Sequence, residues 1–559
     1  MSPPRRKCHF NSELQREYPF LKLKSSASPH IVYCEICKSE VDISNSGRSN
    51  IKSHLNKKKH RLAEIASQSS KKLQTFFKKD EVSSENLLIA AKEGTVAYHT
   101  IKHMQSFRSL DCTSKLIACL FEPKFMSART KTEAITKNVL AKEAKSRLEN
   151  ALQKTHFVSI IVDSSNHNET KVVPLLVRYF DEEKGIQVKL LQLQDLPGET
   201  SDQLKDYVYN ALSKFNLVEK CAGLSADNTN TNFGGSQRKG KNNLFSKLTN
   251  SCGKSIVGIG CVAHIFNNCI QNATDSLPID IEVIVVKIYK HFYIYTVRVA
   301  HLKSFCEAVD MEYKKMLSFS KTRFLSLMPA VERILKMYKP LQTYFLSLEN
   351  CPTILKQFFG NPVGEIWLWF VHNAASLFHQ AILSVEGNKV CAAEAALEYF
   401  TLKDKLENRL NEVFLPVKVG ESLSKLENLD NDNIMNYRQE FSATAKKFYS
   451  SCINYLENWK TNLSELKLFE WIALRKEVKW NEILLSYEAC NGEIGDKVNA
   501  DACFDEFSLL KNFATDEKIT SWNCQKTPTE TRWLEFFKYI EAIPYQVTPI
   551  NLKMLCEFA

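Results

Sequence analysis

The clearest indication of the fold is an apolar, β-branched run that ends on a carboxylate, His156-Phe157-Val158-Ser159-Ile160-Ile161-Val162-Asp163. Runs rich in Val and Ile and flanked by polar residues are typical of a strand buried on both faces of a sheet. A charge at the end of such a strand lies at the sheet margin. An aspartate there is most often a turn or helix cap, so the role of Asp163 depends on the sequence that follows.

Three later segments place this strand in a sheet. Residues 171–180 and 187–196 are apolar-rich and are joined by a turn-like Asp181-Glu182-Glu183-Lys184-Gly185, which predicts an antiparallel hairpin. A helical stretch at 201–215 leads to a short strand at 221–226, which ends on Asp227. This β-β-β-α-β order is similar to that of the ribonuclease-H-like fold, in which the first and fourth strands lie side by side and parallel. We therefore expect Asp163 and Asp227 to meet.

Two converging aspartates supply part of a two-metal site. Carboxylates hold two Mg²⁺ about 4 Å apart, one activating the attacking oxygen and the other the leaving oxygen. A third carboxylate, usually from a helix beside the sheet, completes the cage. The alternative for Asp227 is turn chemistry, since Asp227-Asn228-Thr229-Asn230 also suits an Asx turn.

Length and composition indicate a multidomain globular protein. With 559 residues, 44% hydrophobic and 25% charged, the chain should hold about three or four domains. No apolar run reaches the ~18 residues of a membrane span, and the basic first residues lead into no apolar leader. We therefore expect the 17 Cys to be reduced thiols, mostly in cores, with any functional subset binding metal.

The positive charge is concentrated at the N-terminus. Residues 1–80 contain 17 Lys and Arg against 7 Asp and Glu, whereas the other 479 residues contain 57 against 56. A basic head on a neutral body is typical of a nucleic-acid-binding module attached to a separate globular part. The alternative is a nuclear-import tail that makes no DNA contact.

Four potential metal ligands follow one another in this basic head. Cys34 and Cys37 form a Cys-x2-Cys pair, and His54 and His60 follow after 16 and five further residues. Such a set encloses Zn²⁺ tetrahedrally, with the Cys pair on a tight knuckle and the His pair on a helix. Because no coordination position stays open, the metal would fold the module and do no chemistry.

Basic side chains surround the two histidines. On the predicted helix they could face phosphates, which favours binding of duplex DNA over a finger with only a structural role. The candidate DNA-contacting residues here are Arg48, Lys52, Lys57, Lys58, Lys59 and Arg61.

Residues 33–60 (YCEICK…RSNIKSHLNKKKH) resemble a BED-type zinc finger and, more loosely, the finger of the CGG-triplet-repeat-binding proteins. Aromatic residues ahead of the Cys pair belong to this pattern, and Phe20 and Tyr33 fill it, whereas the usual BED tryptophan is missing. The resemblance implies binding of duplex DNA.

Four segments resemble, in order and rough spacing, the hAT (hobo/Activator/Tam) superfamily of DNA transposases. They are residues 156–167, Ala226 to Asn230, Cys261-Val262-Ala263-His264 and Lys321-Thr322-Arg323-Phe324.

The resemblance implies that Asp163 and Asp227 are the first two catalytic carboxylates, and that His264 of the Cys261–His264 pair contacts DNA near the cut. Phe324 stands where the family has a Trp that stacks on a flipped base, so stacking would be weakened or lost. Without the family, Cys261 and His264 are interpreted as core residues, because a lone Cys-x2-His lacks the ligands to hold Zn²⁺.

The family also implies an all-helical insertion between the second and third carboxylates, where we expect Trp367 and Trp369 to be core residues. The Asn-rich residues 420–436 predict a long loop within it. The predicted organisation is a basic N-terminus with the finger (1–64), a linker (65–86), a helical N-terminal domain (87–153), a ribonuclease-H-like domain (154–327), the helical insertion (328–500) and a truncated return to the ribonuclease-H-like domain (501–559).

The third carboxylate of the family is a Glu in a Glu-Arg pair that follows a Trp-containing segment. Thr531-Arg532-Trp533 and residues 552–559 resemble the approach to that helix, but no Glu-Arg follows, and Glu557 comes too early. We therefore expect no transposase activity, since losing a metal-ligating carboxylate removes much of the transition-state stabilisation.

The main hypothesis is thus a catalytically inactive, transposase-derived nuclear protein that binds double-stranded DNA through a Zn²⁺ finger and acts in transcription or chromatin regulation. One alternative is an active or fragmentary transposase, which alone would require Mg²⁺. The other is a scaffold whose helical domain binds chromatin or transcription proteins.

Overall fold

The computed structural model confirms the predicted mixed α/β class. The chain divides into two compact units, Met1–Ala144 and Lys145–Ala559. The structure describes residues 7–24, 28–66, 84–167, 169–236, 238, 240–320, 326–387, 389–429, 437–494, 497–543 and 550–559.

The first unit opens with a small module around a three-stranded antiparallel sheet of order β1-β2-β3. Its elements are α1 (Ser12–Glu17), β1 (Leu21–Leu23), β2 (Ile31–Cys34), β3 (Ser39–Asp42), α2 (Arg48–Leu55) and α3 (58–66). The module differs from the predicted ββα plan in two ways. β1 adds a third strand, and the helix expected to carry both histidines is interrupted at residues 56–57.

Helices follow, as predicted for this part of the chain. They are α4 (Ser84–Lys102), α5 (Leu110–Leu120), α6 (Arg129–Ile135), a π-helical turn (Thr136–Leu140) and α7 (Ala141–Lys154). The buried Glu93 joins α4 to the segment around α6: it pairs with Lys131 at 2.7 Å and accepts a hydrogen bond from the Met126 amide at 3.0 Å.

The second unit contains a six-stranded sheet. Its strands are β4 (Val158–Val162), β5 (Ser165–His167), β6 (Thr170–Asp181), β7 (Gly185–Leu196), β8 (Cys221–Ala226) and β9 (Val257–Gly260). β6 and β7 form the predicted hairpin, and β4 lies between β6, to which it is antiparallel, and β8, to which it is parallel. The expected parallel contact of the first and fourth predicted strands is confirmed. β5 and β9 were not predicted; β9 extends the parallel part beyond β8.

β4 is not buried equally on both faces. Val158, Ile160 and Val162 are buried, whereas Ser159 and Ile161 are half-buried. The buried face packs on helix α8 (Ser201–Lys214), which begins with a capping box formed by Thr200 and Gln203. This alternation explains why the β-branched run is a central strand although its two faces meet different surroundings.

Helices dominate the rest of the second unit. They are α9 (Asn230–Phe233), α10 (Leu244–Cys252), α11 (Val262–Thr274), α12 (Ile281–Phe292), α13 (Thr296–Glu307), α14 (Leu327–Lys336), α15 (Tyr338–Ser347), α16 (Thr353–Gly360), α17 (Gly364–Val385), α18 (Ala392–Asn411), α19 (Val417–Leu429), α20 (Tyr437–Glu457), α21 (Lys460–Ser464), a 3₁₀ helix (Glu465–Ala473), α22 (Trp480–Ile494), α23 (Ala500–Phe513), α24 (Asp516–Gln525), α25 (Thr529–Glu541) and α26 (Ile550–Phe558).

One large core joins the helices between Val262 and Leu466. Trp367 is buried in it and stacks on Phe441 with ring centroids 3.8 Å apart, as expected of a core residue. Trp369 is only half-buried and packs against the same core.

The predicted loop at 420–436 is wrong for its first part, because α19 continues to Leu429. Val419 and Leu423 are fully buried one helical turn apart, and this apolar pair anchors the helix despite the neighbouring polar residues. Residues 430–436 lie outside the described part of the chain.

The C-terminal helices pack against the sheet. Trp533 lies in one buried cluster with Phe157 and Ala222, which flank or belong to β4 and β8. The Glu530 carboxylate accepts a hydrogen bond from the Ile186 amide at 2.8 Å at the β6–β7 turn. None of the helices in the described part of the chain combines the length and apolar character needed to cross a bilayer.

Candidate metal centre and acidic sheet edge

The structure brings Cys34, Cys37, His54 and His60 together as a buried cluster. Their potential ligand atoms all lie within 4.8 Å of one another. Cys34 Sγ is 3.5 Å from His60 Nδ1, and Cys37 Sγ is 3.3 Å from His54 Nε2. A tetrahedral Zn²⁺ with bonds of about 2.0–2.3 Å separates its ligands by roughly 3.3–3.8 Å, so the four side chains fit this ion.

Local structure explains how these side chains converge. Cys34 ends β2 and Cys37 lies in the tight turn before β3, where Lys38 has a left-handed φ of 53°. On one continuous helix, residues six positions apart would point about 120° away from each other. The interruption after Leu55 therefore allows both imidazoles to face the cysteine pair.

Burial shifts the pKa values of two side chains of the cluster, His54 and Cys34. Burial is the main cause that lowers the pKa of His54, with smaller contributions from His60, Lys57 and Lys59. The imidazole is thus held neutral, which is the form that coordinates a metal. Burial also raises the pKa of Cys34, so a bound cation is needed to stabilise its thiolate.

The basic residues of the finger have different surroundings. Arg48 donates from Nη2 to Glu13 at 2.7 Å and from Nε to Glu17 at 2.8 Å, which ties α2 to α1. Arg61 donates to Asn56 Oδ1 at 2.7 Å. Four lysines are exposed and form no ion pair with any described residue, namely Lys52, Lys57, Lys58 and Lys59. These lysines are the ones available to phosphates.

A second group of polar side chains lies where the parallel strands of the large sheet end. Asp163 follows β4, Asp227 follows β8 and Cys261 follows β9 directly, and His264 is in the first turn of α11. Because β4, β8 and β9 are parallel, their carboxyl ends meet at one edge. We call Asp163, Asp227, Cys261 and His264 the acidic edge.

The pKa values of Cys261 and His264 reflect this proximity. Burial raises the pKa of the Cys261 thiol, and both Asp163 and Asp227 add to the rise. Burial lowers the pKa of His264, and the same two carboxylates oppose that effect. Cys261 and His264 thus each lie within electrostatic reach of both carboxylates.

Backbone and amide contacts fix Asp227 in place. Its Oδ1 accepts hydrogen bonds from Thr229 Oγ1 at 2.7 Å and from Asn232 Nδ2 at 2.6 Å. Asn228 Nδ2 donates to the Cys261 carbonyl at 2.8 Å, which links the ends of β8 and β9. The Thr229 amide also donates to Asp227 Oδ1 at 3.2 Å, so the expected Asx-type turn is present.

The sequence did not single out two buried amides beside Asp227. The Oδ1 atoms of Asn228 and Asn232 have no hydrogen-bond donor among the described residues. Amide and carboxylate oxygens are ligands that hard cations prefer. Asn228 belongs to the Asp-Asn-Thr-Asn string of the sequence, whereas Asn232 lies two residues beyond it, and the string does not indicate which amide oxygens lack a donor among the described residues.

The carboxylates contacting this region do not complete a cage. Glu199 is engaged by Lys171 and by Ser164, which follows Asp163. Glu557 pairs with His156 at 2.8 Å, at the other end of β4 and roughly 20 Å along the chain from Asp163. Across the described residues, the finger is the one place where three or more His, Cys, Asp or Glu side chains converge closely enough to hold a metal. Phe324, the expected stacking residue, lies outside the described residues.

Comparison with known proteins bears on the acidic edge. The family model DUF4371, described as the ZMYM1/FAM200 RNase-like domain, matches residues 108–232, a range that contains Asp163 and Asp227. No curated protein matches the chain. The chain therefore combines a buried Cys₂His₂ cluster with a region that is similar to this RNase-like domain.

Proposed function

We propose that this protein is a DNA-binding protein derived from a hAT transposase, and that its finger binds duplex DNA in the nucleus to regulate transcription or chromatin. The observation that carries the proposal is the buried Cys₂His₂ cluster with four exposed lysines beside it that form no ion pair with any described residue. Lysines held on a rigid module can neutralise phosphates and release counterions, which gives an affinity that depends on salt. The match of residues 108–232 to an RNase-like domain supports a transposase origin.

Duplex binding by the full chain tests this function. Affinity for labelled duplex DNA, measured over a series of salt concentrations, should fall steeply with salt. The combined substitution of Lys57, Lys58 and Lys59 by Gln should weaken binding and reduce the salt slope by about three. Lys446→Gln, at an exposed lysine on α20 that forms no ion pair with a described residue, serves as the matched control. Equal binding by the triple variant and the wild type would reject the finger as the DNA-binding site.

We further propose that the large sheet is ribonuclease-H-like and that it does not cut DNA. Parallel pairing of β4 with β8 supports the fold. Within the described part of the chain, no third carboxylate joins Asp163 and Asp227 at the acidic edge, which supports inactivity. Incubation with duplex DNA and Mg²⁺ or Mn²⁺ should give no strand cleavage, and Asp163→Asn should leave duplex affinity unchanged. Cleavage that disappears in Asp163→Asn would instead establish the alternative, an active transposase.

A second candidate function is a chromatin-recruited scaffold, favoured by the large helical core between Val262 and Leu466. This function is compatible with DNA binding by the finger. Both candidate functions require a nuclear location. Imaging tests this location by comparing a fluorescent fusion of the full-length protein with a fusion that lacks residues 1–80. Equal distributions of the two fusions would show that the basic head is not the targeting element.

A further inference from the structure

The turn between α12 and α13 exposes an unusual set of apolar side chains. Tyr293 is 59% exposed, Ile294 68% and Val297 79%, within a few residues of one another. Exposed apolar residues that occur singly are normal, whereas a contiguous group marks an interaction site. We call residues 289–299 the apolar turn.

A pocket lies beside these residues. Its volume is about 240 Å³, and its walls include Tyr289, Phe292, Tyr293, Val299 and Met316. Pockets that enclose small-molecule ligands usually have about 300–1,000 Å³. A smaller, mainly apolar pocket suits a single bulky side chain of a partner, the usual anchor of a protein interface.

The α12–α13 side of the pocket is cationic, whereas three acidic residues, Glu307, Asp310 and Glu312, precede its other wall. From Val283 to Cys306 the chain contains no Asp or Glu, but it contains Lys287, Lys290, Arg298 and Lys303. Lys303 lies 5.3 Å from the ring centre of Tyr313, which lines the pocket together with Lys315. The three exposed lysines of α12 and α13 form no ion pair with a described residue. This charge is complementary to a partner that carries carboxylates.

The details favour a peptide over a nucleic acid. The Arg298 guanidinium lies 3.9 Å from the ring centre of Tyr295 and donates to the His291 carbonyl at 3.1 Å, so one face of that ring is not free for a base. Phe292, Val299 and Met316 line part of the pocket and offer no hydrogen bonds, so the polar edge of a nucleobase placed against them would be buried without a partner. An apolar side chain carries no such cost.

We propose that the apolar turn binds an acidic peptide segment of a partner protein, with one bulky apolar side chain in the pocket and carboxylates on Lys290 and Lys303. This interaction is independent of DNA binding by the finger. It gives the second unit a recognition surface that is separate from the acidic edge, which lies at the strand ends and the start of α11.

Selection of a random peptide library on the immobilised full-length protein tests the proposal. Enriched peptides should be rich in Asp and Glu and contain a Phe, Trp or Leu. Their affinity, measured by fluorescence polarisation, should fall about tenfold or more in the double variant Lys290→Glu, Lys303→Glu, and also in Tyr293→Ser. The double variant Lys446→Glu, Lys447→Glu on α20 is the charge-matched control and should bind as the wild type does.

Three outcomes would overturn the proposal. They are the absence of any enriched peptide, enrichment without an acidic bias, and equal binding by the variants of the apolar turn. Binding of labelled oligo-dT is measured in parallel. If no peptide is enriched and the Lys290→Glu, Lys303→Glu variant no longer binds oligo-dT, the surface binds single-stranded nucleic acid instead. The triple finger variant should retain peptide binding, so failure here is distinguishable from failure of duplex binding.

Discussion

Cys37 Sγ lies where the fold of the finger would contact a bound Zn²⁺. This atom lies 3.3 Å from His54 Nε2 and 2.9 Å from Ser39 Oγ. A serine at this position would have nearly the same volume but could not supply a thiolate ligand. We expect Cys37→Ser to lose bound zinc, measured by elemental analysis, and to lose amide protection in β2 and β3. Cys8→Ser, a change at a cysteine outside the cluster, should keep its zinc. Retained zinc in Cys37→Ser would contradict the ligand assignment.

Arg48 illustrates how tertiary contacts change the expected role of a basic residue. Its guanidinium is shared between Glu13 and Glu17, and these two carboxylates are the main causes that raise the pKa of Arg48. We expect Arg48→Gln to change the salt slope of duplex binding less than Lys58→Gln, which should reduce it by about one. DNA titrations at several salt concentrations compare the salt slopes of the two variants. A larger decrease for Arg48→Gln than for Lys58→Gln would show that the ion pairs of Arg48 with Glu13 and Glu17 break when the protein binds DNA.

The clustering of the four potential metal ligands of the finger could be predicted from sequence, because the residue types and their fixed spacing define it. Pairing of Arg48 with α1 could not, because the partners lie 31 and 35 positions away and nothing local links them. The same holds for the unpaired oxygens of Asn228 and Asn232, which depend on how β8 meets β9.

Among the structural elements, the ends of β8 and β9 can approach each other because Gly260, the last residue of β9, has no side chain. A Cβ atom added to Gly260 would overlap the Oδ1 atom of Asn228. The Nδ2 atom of the same side chain donates a hydrogen bond to the Cys261 carbonyl, which holds the side chain in place. Overpacking of this kind costs about 1–3 kcal/mol. Gly260→Ala should therefore lower the thermal midpoint, whereas Gly360→Ala, where a Cβ meets nothing, should not. Equal midpoints for the two variants would show that Asn228 moves aside freely.

The end of α12 predicts a dependence of stability on pH. Burial, followed by the charge of Arg298, lowers the pKa of His291 to about 4, and His291 Nε2 lies 3.0 Å from Tyr344 Oη. The unfolded chain binds a proton near the usual value of about 6.5. Stability should thus be lost as pH falls from 6.5 towards 4, because only the unfolded state gains this proton.

Thermal midpoints at pH 7 and near pH 4.5 test this effect. His291→Gln keeps a polar group near Tyr344 but cannot titrate, so its midpoint should fall less on acidification than that of the wild type. His301→Gln, at an exposed histidine of α13, should behave as the wild type does. Identical acid shifts in the wild type and His291→Gln would contradict the prediction.

The predictability of the elements follows from the strength of the local pattern. β6, β7 and β8 agree with the sequence within one or two residues, because apolar runs and a turn with Gly185 at φ 74° define them. β5 and β9 are three and four residues long, too short for a periodic signal. The sequence predicts a loop where most of α19 forms, because Val419 and Leu423, rather than the overall composition, stabilise this helix.

In the molecule as a whole, the excess positive charge and the large hydrophobic cores lie in different parts of the chain. The basic excess lies in residues 1–80, and the finger within them has its own small core of nine buried residues. The clusters of the second unit draw on residues from Leu152 onward. A core as small as that of the finger seldom folds without help, so the metal has to supply much of its stability.

Removal of the metal should therefore unfold one part of the protein and spare the other. We expect a zinc chelator to abolish amide protection in residues 31–66, as followed by hydrogen exchange, while β4, β6 and β8 stay protected. The physical reason is that structural Zn²⁺ contributes about 10–16 kcal/mol to small fingers, whereas the sheet has an apolar core of its own. The same chelator saturated with zinc is the control. Loss of protection in β4 on chelation would mean that the two units depend on each other for folding, and a protected finger after complete zinc removal would mean that its nine-residue core is sufficient.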